Sequence, residues 1–389
     1  GGSPLAAPGP GSPVTRLLAI TGTRADLGLW RPILAEVARR EGVEPRLLIT
    51  AMHLDQRFGF TAREARNLGV PIAAEVPSTP TGDSRREMAE AIGQAIVGMG
   101  RAIEDAAPDW LLVLGDRGEQ LAAAIVALHS EVRVAHLHGG EQTTGAVDDV
   151  VRDLISRAAD LHLVATTAAA DRLRALGAPQ NRVVVTGAPG LDAIAGRNTH
   201  AEGEVRARHG VADSEYLMVV YHPETVGDRD PAAGLAAVMA GVATSGIPAI
   251  AIGSNADAGG RAILNRLLRS TAAFLEVVPS LPHADYVALL AGTAAIVGNS
   301  SSGLIEAPLL RVPAVNVGER QAGRTQGDNV INVLHDPAAI EEAIAIAVDP
   351  RFRQALSGTS PYGDGHAAPR ILDAILATAG GRLPWGATQ

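Results

Sequence analysis

Short, continuously apolar runs alternate with alanine-rich stretches along the whole chain. In the first half the runs are LLAITGT at 17–23, RLLIT at 46–50, WLLVLGD at 110–116, RVAHLHGG at 133–140, LHLVAT at 161–166 and RVVVTG at 182–187. Helical spacing is predicted between them, over 30–41, 85–106, 118–130 and 148–159. Apolar strands separated by helices indicate a parallel sheet covered on both faces. Residues 187–214, rich in Gly, Ala and charge, read as an interdomain linker. A second series follows: YLMVVYHP at 216–223, IPAIAIGS at 247–254, FLEVVPS at 274–280, AAIVGNS at 294–300, PAVNVG at 313–318 and VINV at 330–333. Helices are expected near 231–245, 260–270, 284–292, 303–311 and 338–348. The expected fold class is α/β, with two Rossmann-like domains whose parallel sheets face each other across a cleft. Ligands of such sheets bind beyond the carboxyl ends of the strands, so polar residues at strand ends are the candidates for chemistry.

Composition narrows that chemistry. The 389 residues suit two domains. The chain has no cysteine, and its 33 basic residues are all arginine. Thiol nucleophiles, cysteine-ligated zinc, lysine Schiff bases and P-loop lysines are therefore excluded. Carboxylates, histidines, hydroxyls, arginines and backbone amides must do the work. A net charge of −9 and an aromatic fraction of 3% argue against a nucleic-acid partner. They leave room for a local arginine-lined pocket that takes a small anion. No run approaches the roughly 18 apolar residues of a membrane span, so no membrane partner is expected. Residues 1–13, GGSPLAAPGPGSP, lack the basic start and apolar run of a signal peptide and read as a disordered leader. A cytoplasmic location is the expectation.

Several strand ends carry motifs with chemical content. The first strand ends in Thr21-Gly22-Thr23-Arg24-Ala25-Asp26, where small residues let the backbone approach a ligand and Arg24 offers a forked donor. The plainer alternative is a turn with Asp26 as a helix cap. There is no GxGxxG, so a dinucleotide fingerprint is absent. At 298–308, GNSSSGLIEAP runs a strand into three serines and a glycine, then an expected helix. Amides at a helix start, aided by hydroxyls, make a diphosphate site without lysine, and Glu306 can accept from ribose hydroxyls. One serine would suffice as a cap, so three favour a ligand. GSNADAGGR at 253–261 is by itself an ordinary loop with polar Asn255 and Asp257.

Three further strand ends hold titratable groups: Asp116-Arg117, HLHGGE at 136–141, and Tyr221-His222. Alternation puts His136 and His138 on one strand face. A buried structural role is the plain reading for either. HxH also suggests a metal, but no further ligands lie at metal-site spacing. Glu141 follows two glycines and can project into a cleft. Asp148 and Asp149 open the next helix, where the macrodipole favours their charge.

These residues resemble the UDP-N-acetylglucosamine 2-epimerase family over nearly the whole chain after the leader. The resemblance rests on GTRADLG at 22–28, MHL at 52–54, LGDRGEQLAAA at 114–124, HLHGGEQTTGAVDD at 136–149 and LHLVAT at 161–166. It continues in GAPGLD at 187–192, HPET at 222–225, SNADAGGR at 254–261, NSSSGLIEAP at 299–308 and NVGERQAGRTQGDNVI at 316–331. The GTRAD and HGGE forms look like the hydrolysing branch. The reversible branch typically reads GTRPE and HVEAG.

The resemblance implies the glycosyltransferase-B arrangement, with a last helix at 366–379 crossing back to the first domain. It divides the chain into the leader 1–13, an N-terminal domain over 14–192 carrying acid/base groups, a UDP-binding domain over 193–361, and the returning segment 362–389. It implies removal of the C2 proton of UDP-N-acetylglucosamine with loss of UDP, giving a 2-acetamidoglucal. Water addition then gives N-acetylmannosamine. Asp116, Glu141 and Asp149 become the acid/base candidates, and His222 the contact to the departing diphosphate. Arg24, Ser300, Ser301, Ser302 and Gly303 fit phosphate binding. Asn255, Asp257 and Glu306 fit the nucleoside, while Arg320 and Gln321 lie near the diphosphate. Asp26, His53, Arg117 and His138 complete the substrate-binding candidates.

The implied partners are a UDP-linked amino sugar, UDP and a second copy of the chain in a dimer or tetramer. No cofactor or metal is implied. Alternatives are the reversible epimerase, a related UDP-amino-sugar epimerase, a glycosyltransferase on the same fold, and a nucleotide-sugar-binding regulatory protein without catalysis, whose mark would be loss of the carboxylates, although Asp116, Glu141 and Asp149 are all present. Two positions depart from the family pattern. Asp153 stands where a histidine usually follows Arg152, adding negative charge, and Gly118 replaces a frequent aromatic, which would widen the sugar pocket.

Overall fold

The computed structural model describes residues 14–82, 84–142, 147–197, 199–211, 214–223, 231–253, 260–279, 281–379 and 385. The chain divides into two compact units. The first holds the described residues of 14–141, 147–189 and 366–385, and the second Gln142 with the described residues of 190–365.

The first unit is built on seven parallel strands: β1 (Thr15–Thr21), β2 (Val43–Thr50), β3 (Ile72–Val76), β4 (Trp110–Leu114), β5 (Arg133–Leu137), β6 (Leu161–Val164) and β7 (Val183–Val185). Their order is β3-β2-β1-β4-β5-β6-β7. The order reverses between β1 and β4, which pair in parallel from Leu17↔Trp110 to Ala19↔Leu112. Alternation along β1 supplies both faces of the sheet. Leu17 and Ala19 pack with Leu27, Trp30 and Ile33 of the helix Arg24–Val37, and with Ile371, Leu372 and Ile375 of the helix Ala367–Ala377. Leu18 and Ile20 face the opposite core, shared with helices Arg85–Ala106, Gly118–His129 and Val147–Ala158. The segment crossing back from the far end of the chain thus completes the first core.

The second unit holds six parallel strands: β8 (Leu217–Val220), β9 (Ala249–Ile252), β10 (Leu275–Val278), β11 (Ala295–Gly298), β12 (Ala314–Val317) and β13 (Val330–Val333). Their order is β10-β9-β8-β11-β12-β13. Here the reversal falls between β8 and β11. Helices Pro231–Ser245, Gly260–Leu268 and Pro337–Val348 cover one face, and Thr199–Arg208 and His283–Gly292 the other.

The structure departs from the pattern-based reading in three places. Strand β3, IAAEV, is an addition: its alanines and the preceding Pro71 hide it from a hydrophobic-run criterion. The expected linker contains the helix Thr199–Arg208, which packs Val205 into the second core. The helix expected at 303–311 does not form. Instead, short 3-10 turns occupy Ser301–Gly303 and Pro308–Leu310. Pro308 has no amide to donate, and Arg311 turns left-handed at φ 53°, so the segment closes as linked turns. Among the described residues no helix is long and apolar enough to cross a membrane.

Leu372 is fully buried against the first core, whereas Leu376 in the same helix is 43% exposed. Leu372→Ala is expected to cost about 2–5 kcal/mol in urea unfolding. Leu376→Ala should stay within about 0.5 kcal/mol of the parent.

Candidate functional site

In the first unit, the topological switch point gathers the polar residues that end β1, β4 and β5. The turn after β1 is built around Asp26. Its carboxylate accepts from the amides of Gly22 (2.9 Å) and Thr23 (2.8 Å), and from the hydroxyls of Thr21 (3.2 Å) and Thr23 (2.8 Å). Thr23 returns the bond to the Asp26 amide, closing a capping box. Burial pushes the Asp26 carboxyl above its ordinary value, and the charge of Glu119 acts the same way. His53 is fully buried behind this turn, with Nε2 3.0 Å from the Thr21 hydroxyl and Nδ1 2.6 Å from that of Thr61. Burial holds its pKa below the ordinary histidine value. Asp26 and His53 therefore shape the loop that presents Arg24, whose guanidinium reaches Glu64 at 2.5 Å on the surface.

After β4, Arg117 bonds Glu119 at 2.7 Å. Gln120, fully buried, accepts from the Leu114 amide and donates to the Ile20 carbonyl, stitching the ends of β4 and β1 together.

The carboxylates converge on one cation. Arg152, 2% exposed, rises from the helix Val147–Ala158. It pairs with Asp116, donates to Asp149 at 2.6 Å and to the Glu141 carbonyl at 2.7 Å. The Glu141 carboxylate lies close enough to add to the same field. An ion-paired guanidinium this deeply buried is stable only because its charge is met from several sides. The loop carrying Glu141 depends on glycine. Gly140 sits at φ +76°, and a Cβ there would meet the Ala169 carbonyl oxygen at 2.5 Å.

The two histidines of the HxH motif separate. His136 stays in the strand, 3.0 Å from the Ser156 hydroxyl and 2.8 Å from the Gly115 carbonyl. His138 does not share its face: it lies just past the end of β5 at φ +59°, with Nδ1 2.6 Å from Glu141 Oε1. Strand alternation stops where the backbone turns left-handed.

Both departures from the family pattern have structural counterparts. Asp153 binds Arg172 through both oxygens, at 2.6 and 2.7 Å, so its charge is neutralised within the first unit. Gly118 opens no space, because a Cβ there would meet Ile92 at 2.9 Å. The isoleucine takes the volume that a side chain at 118 would need.

In the second unit the switch point is organised by Asn299, fully buried just after β11. Its side chain accepts from the His222 amide at 2.7 Å and donates to the His222 carbonyl at 2.9 Å. Its own carbonyl accepts from Gln321 at 2.8 Å and Arg320 at 3.3 Å. One residue thus gathers three of the sequence candidates. Gly298 before it is at φ +135°, and a Cβ there would collide with the Val220 carbonyl of the neighbouring strand.

Ser300 caps the following turn through the Ser302 amide at 3.3 Å, and the Gly303 amide bonds the Ser300 carbonyl at 3.2 Å. Ser301 carries the turn through its carbonyl, which accepts from the Leu304 and Ile305 amides. The expected row of open helix-start amides is therefore replaced by a tight, internally bonded turn. Glu306 lies on it, beside the buried Tyr286 hydroxyl, and burial and that carboxylate hold the phenol above its usual range. Asn329 fastens the turn from below, donating to Gly303 and Val312 carbonyls at 2.9 Å each. Asn255 and Asp257 lie outside the described residues.

Sequence reasoning missed Arg152, Arg172, Gln120, Asn299 and Asn329 as organisers. Gln120, Asn299 and Asn329 stand inside quoted motifs and Arg152 just beyond one, but their partners lie far away in sequence, so only the fold reveals them.

Two doubly wound parallel sheets, each with polar side chains at its switch point, place the chain in the glycosyltransferase-B class of α/β proteins. The family model for UDP-N-acetylglucosamine 2-epimerase matches residues 35–376. A UDP-N,N'-diacetylbacillosamine 2-epimerase (hydrolyzing) of Legionella pneumophila is 33% identical, over 93% of this chain and 96% of its own. A UDP-N-acetylglucosamine 2-epimerase of Neisseria meningitidis is 32% identical, over 85% and 86%. Among solved structures, the Neisseria meningitidis UDP-GlcNAc 2-epimerase bound to UDP-GlcNAc superposes at TM-score 0.79 with 18% identity, covering 94% of this chain and all of the other. The Methanocaldococcus jannaschii UDP-GlcNAc 2-epimerase in complex with UDP-GlcNAc and UDP gives 0.78 at 19% identity, with coverage of 94% and 100%. The chain belongs to the UDP-N-acetylglucosamine 2-epimerase family and is an enzyme of that family.

The buried histidines of β5 and β6 set an acid limit on the fold. Burial pushes His136 down to about 3 and His162 down to about 4. The unfolded chain therefore takes up protons below about pH 6.5 that the folded chain refuses, so stability falls as pH falls from there. Urea unfolding free energies should drop from pH 7 to pH 5, approaching about 1.4 kcal/mol per pH unit for each histidine. Equal values at the two pH settings would show that the rings are charged in the fold.

Proposed function

We propose that this enzyme is a hydrolysing UDP-amino-sugar 2-epimerase, with UDP-N-acetylglucosamine as substrate. The observation that carries the reading is the convergence of Asp116, Asp149 and the Glu141 loop on the buried Arg152. A sugar C2 proton is weakly acidic, and inverting that centre needs groups that remove the proton on one face and return it on the other. A cluster of carboxylates at one strand-end site, held by a common cation, provides them.

The first half-reaction moves the C2 proton to the enzyme. The C2–H electron pair becomes the C1=C2 bond, and the C1–O bond breaks with its pair leaving on the UDP β-phosphate. Water then adds to the 2-acetamidoglucal with protonation at C2, releasing N-acetylmannosamine. In this reading the second unit binds UDP through His222, the Ser300–Gly303 turn, Arg320 and Gln321, gathered near Asn299, and Glu306 accepts from the ribose. Asn255 and Asp257 belong to the nucleoside side on the motif match alone. In the first unit Arg24 and Arg117, paired here with Glu64 and Glu119, are assigned to anionic groups of the substrate, while Asp26 and His53 hold the loop in shape.

Two features favour the hydrolysing outcome: the HGGE motif at 138–141 and the 33% identity to a relative named as hydrolysing. That relative is named for a diacetamido sugar, which makes UDP-N,N'-diacetylbacillosamine the second substrate to assay.

Incubation with UDP-N-acetylglucosamine in deuterated water, followed by NMR, should give free N-acetylmannosamine labelled at C2 and UDP. Label retained in UDP-N-acetylmannosamine would assign the reversible reaction instead. Absence of both label and UDP release, with either sugar nucleotide, would refute the epimerase reading. Asp116→Asn should keep UDP binding by calorimetry while labelling falls by about 10²–10⁴-fold. Undiminished labelling would remove Asp116 from the proton-transfer set.

A further inference from the structure

His138 and Glu141 form a pair whose geometry the carboxylate cluster alone does not explain. His138 Nδ1 lies 2.6 Å from Glu141 Oε1, and both side chains are largely buried, at 13% and 10% exposure. An ionised carboxylate only accepts, so Nδ1 must carry the hydrogen. In a neutral ring that leaves a lone pair on Nε2. Nε2 is itself buried and has no hydrogen-bond partner among the described residues. Buried polar atoms are nearly always bonded, so an orphan of this kind asks for a missing partner. The backbone adds a third observation. His138 is held at φ +59°, a region non-glycine residues seldom adopt, by its amide bond to the Leu163 carbonyl at 3.2 Å. Strain of this kind persists where the surroundings enforce it and gathers at functional sites.

We propose that His138 is the catalytic base that takes the C2 proton, and that Glu141 acts through it as a positioning residue. The proposal rests on the 2-epimerase reading above and changes which atom touches the sugar. The proton leaves C2 for His138 Nε2, the C2–H pair forms the C1=C2 bond, and the C1–O pair departs with UDP. The ring becomes an imidazolium, whose Nδ1–H remains bonded to the Glu141 carboxylate. Glutamate fixes the tautomer and balances the new charge, the same division of labour that an aspartate performs for histidine in hydrolytic triads. Chemically this answers a mismatch. A free glutamate is too acidic to be an efficient base at neutral pH, whereas imidazole titrates close to it. In the second half-reaction water adds its hydroxyl at C1 and gives its proton to Asp116 or Asp149, both on Arg152, and that carboxyl passes it to C2, while the His138 imidazolium releases its own proton to solvent.

The test uses His138→Gly, His138→Asn and Glu141→Gln in the full chain, with C2 labelling in deuterated water as readout and UDP binding as the folding control. Glycine adopts a positive φ without strain and vacates the ring volume, and asparagine tolerates the same backbone without a titrating ring. His138→Gly should bind UDP and lose labelling by about 10²–10⁴-fold, with recovery in proportion to added imidazole. His138→Asn should lose labelling without imidazole rescue. Glu141→Gln should lower kcat with KM unchanged and should not respond to imidazole. A His138→Gly enzyme that labels like wild type, or whose loss imidazole leaves untouched, overturns the dyad while the epimerase reading stands. A wild-type enzyme that labels neither sugar nucleotide overturns that reading, and the dyad falls with it.

Discussion

One guanidinium carries the electrostatics of the first unit. Arg152 is almost wholly removed from solvent, and a charge in that position is tolerable only when met by opposite charge and by hydrogen bonds. Asp116 reaches it from the end of β4, Asp149 from its own helix, and the Glu141 backbone from the loop after β5. The dependence runs both ways. Without the cation, carboxylates this close would repel one another or protonate. Without the carboxylates, the cation would have no reason to be buried. The geometry of three separate chain segments is thereby tied to a single group.

The second unit solves a similar problem with neutral atoms. Asn299 bonds both backbone groups of His222 and offers its carbonyl to Arg320 and Gln321. It can do so because Gly298 lets β11 come up against β8 at the switch point without a side chain between them. An amide hub organises donors without adding a negative charge, which suits the diphosphate binding proposed for this region. The two units use the same architectural position for opposite electrostatic purposes.

Much of this was legible in the sequence. All six strands of the second sheet stand as apolar runs, and each strand-end motif falls at the carboxyl end of its sheet. The motifs also located Asp116, Glu141, Asp149 and His222 in the neighbourhoods where the structure has them. What stayed hidden was of two kinds. β3 is too alanine-rich to register as a run, and the turns after Ser300 looked helical because local pattern does not weigh Pro308 against the linked hydrogen bonds around it. The remaining silence concerned pairing. The sequence shows Arg152 and Asp153 side by side, but not that one turns to Asp116 and the other to Arg172. Nor does strand alternation foresee the left-handed backbone that carries His138 away from His136. These are choices made by tertiary packing across tens of residues.

The first unit borrows its final helix from the far end of the chain, and this inverts the order of assembly during synthesis. Residues 190–365, which make up nearly all of the second unit, are continuous and follow a short piece at 142 that emerges before them. The earlier sheet emerges first but lacks Ile371, Leu372 and Ile375, so the face of β1 and β2 that the helix Arg24–Val37 covers in part stays incomplete until they follow. The half made first is finished last. While it waits, the newborn chain exposes part of an apolar sheet face of the kind that chaperones shield.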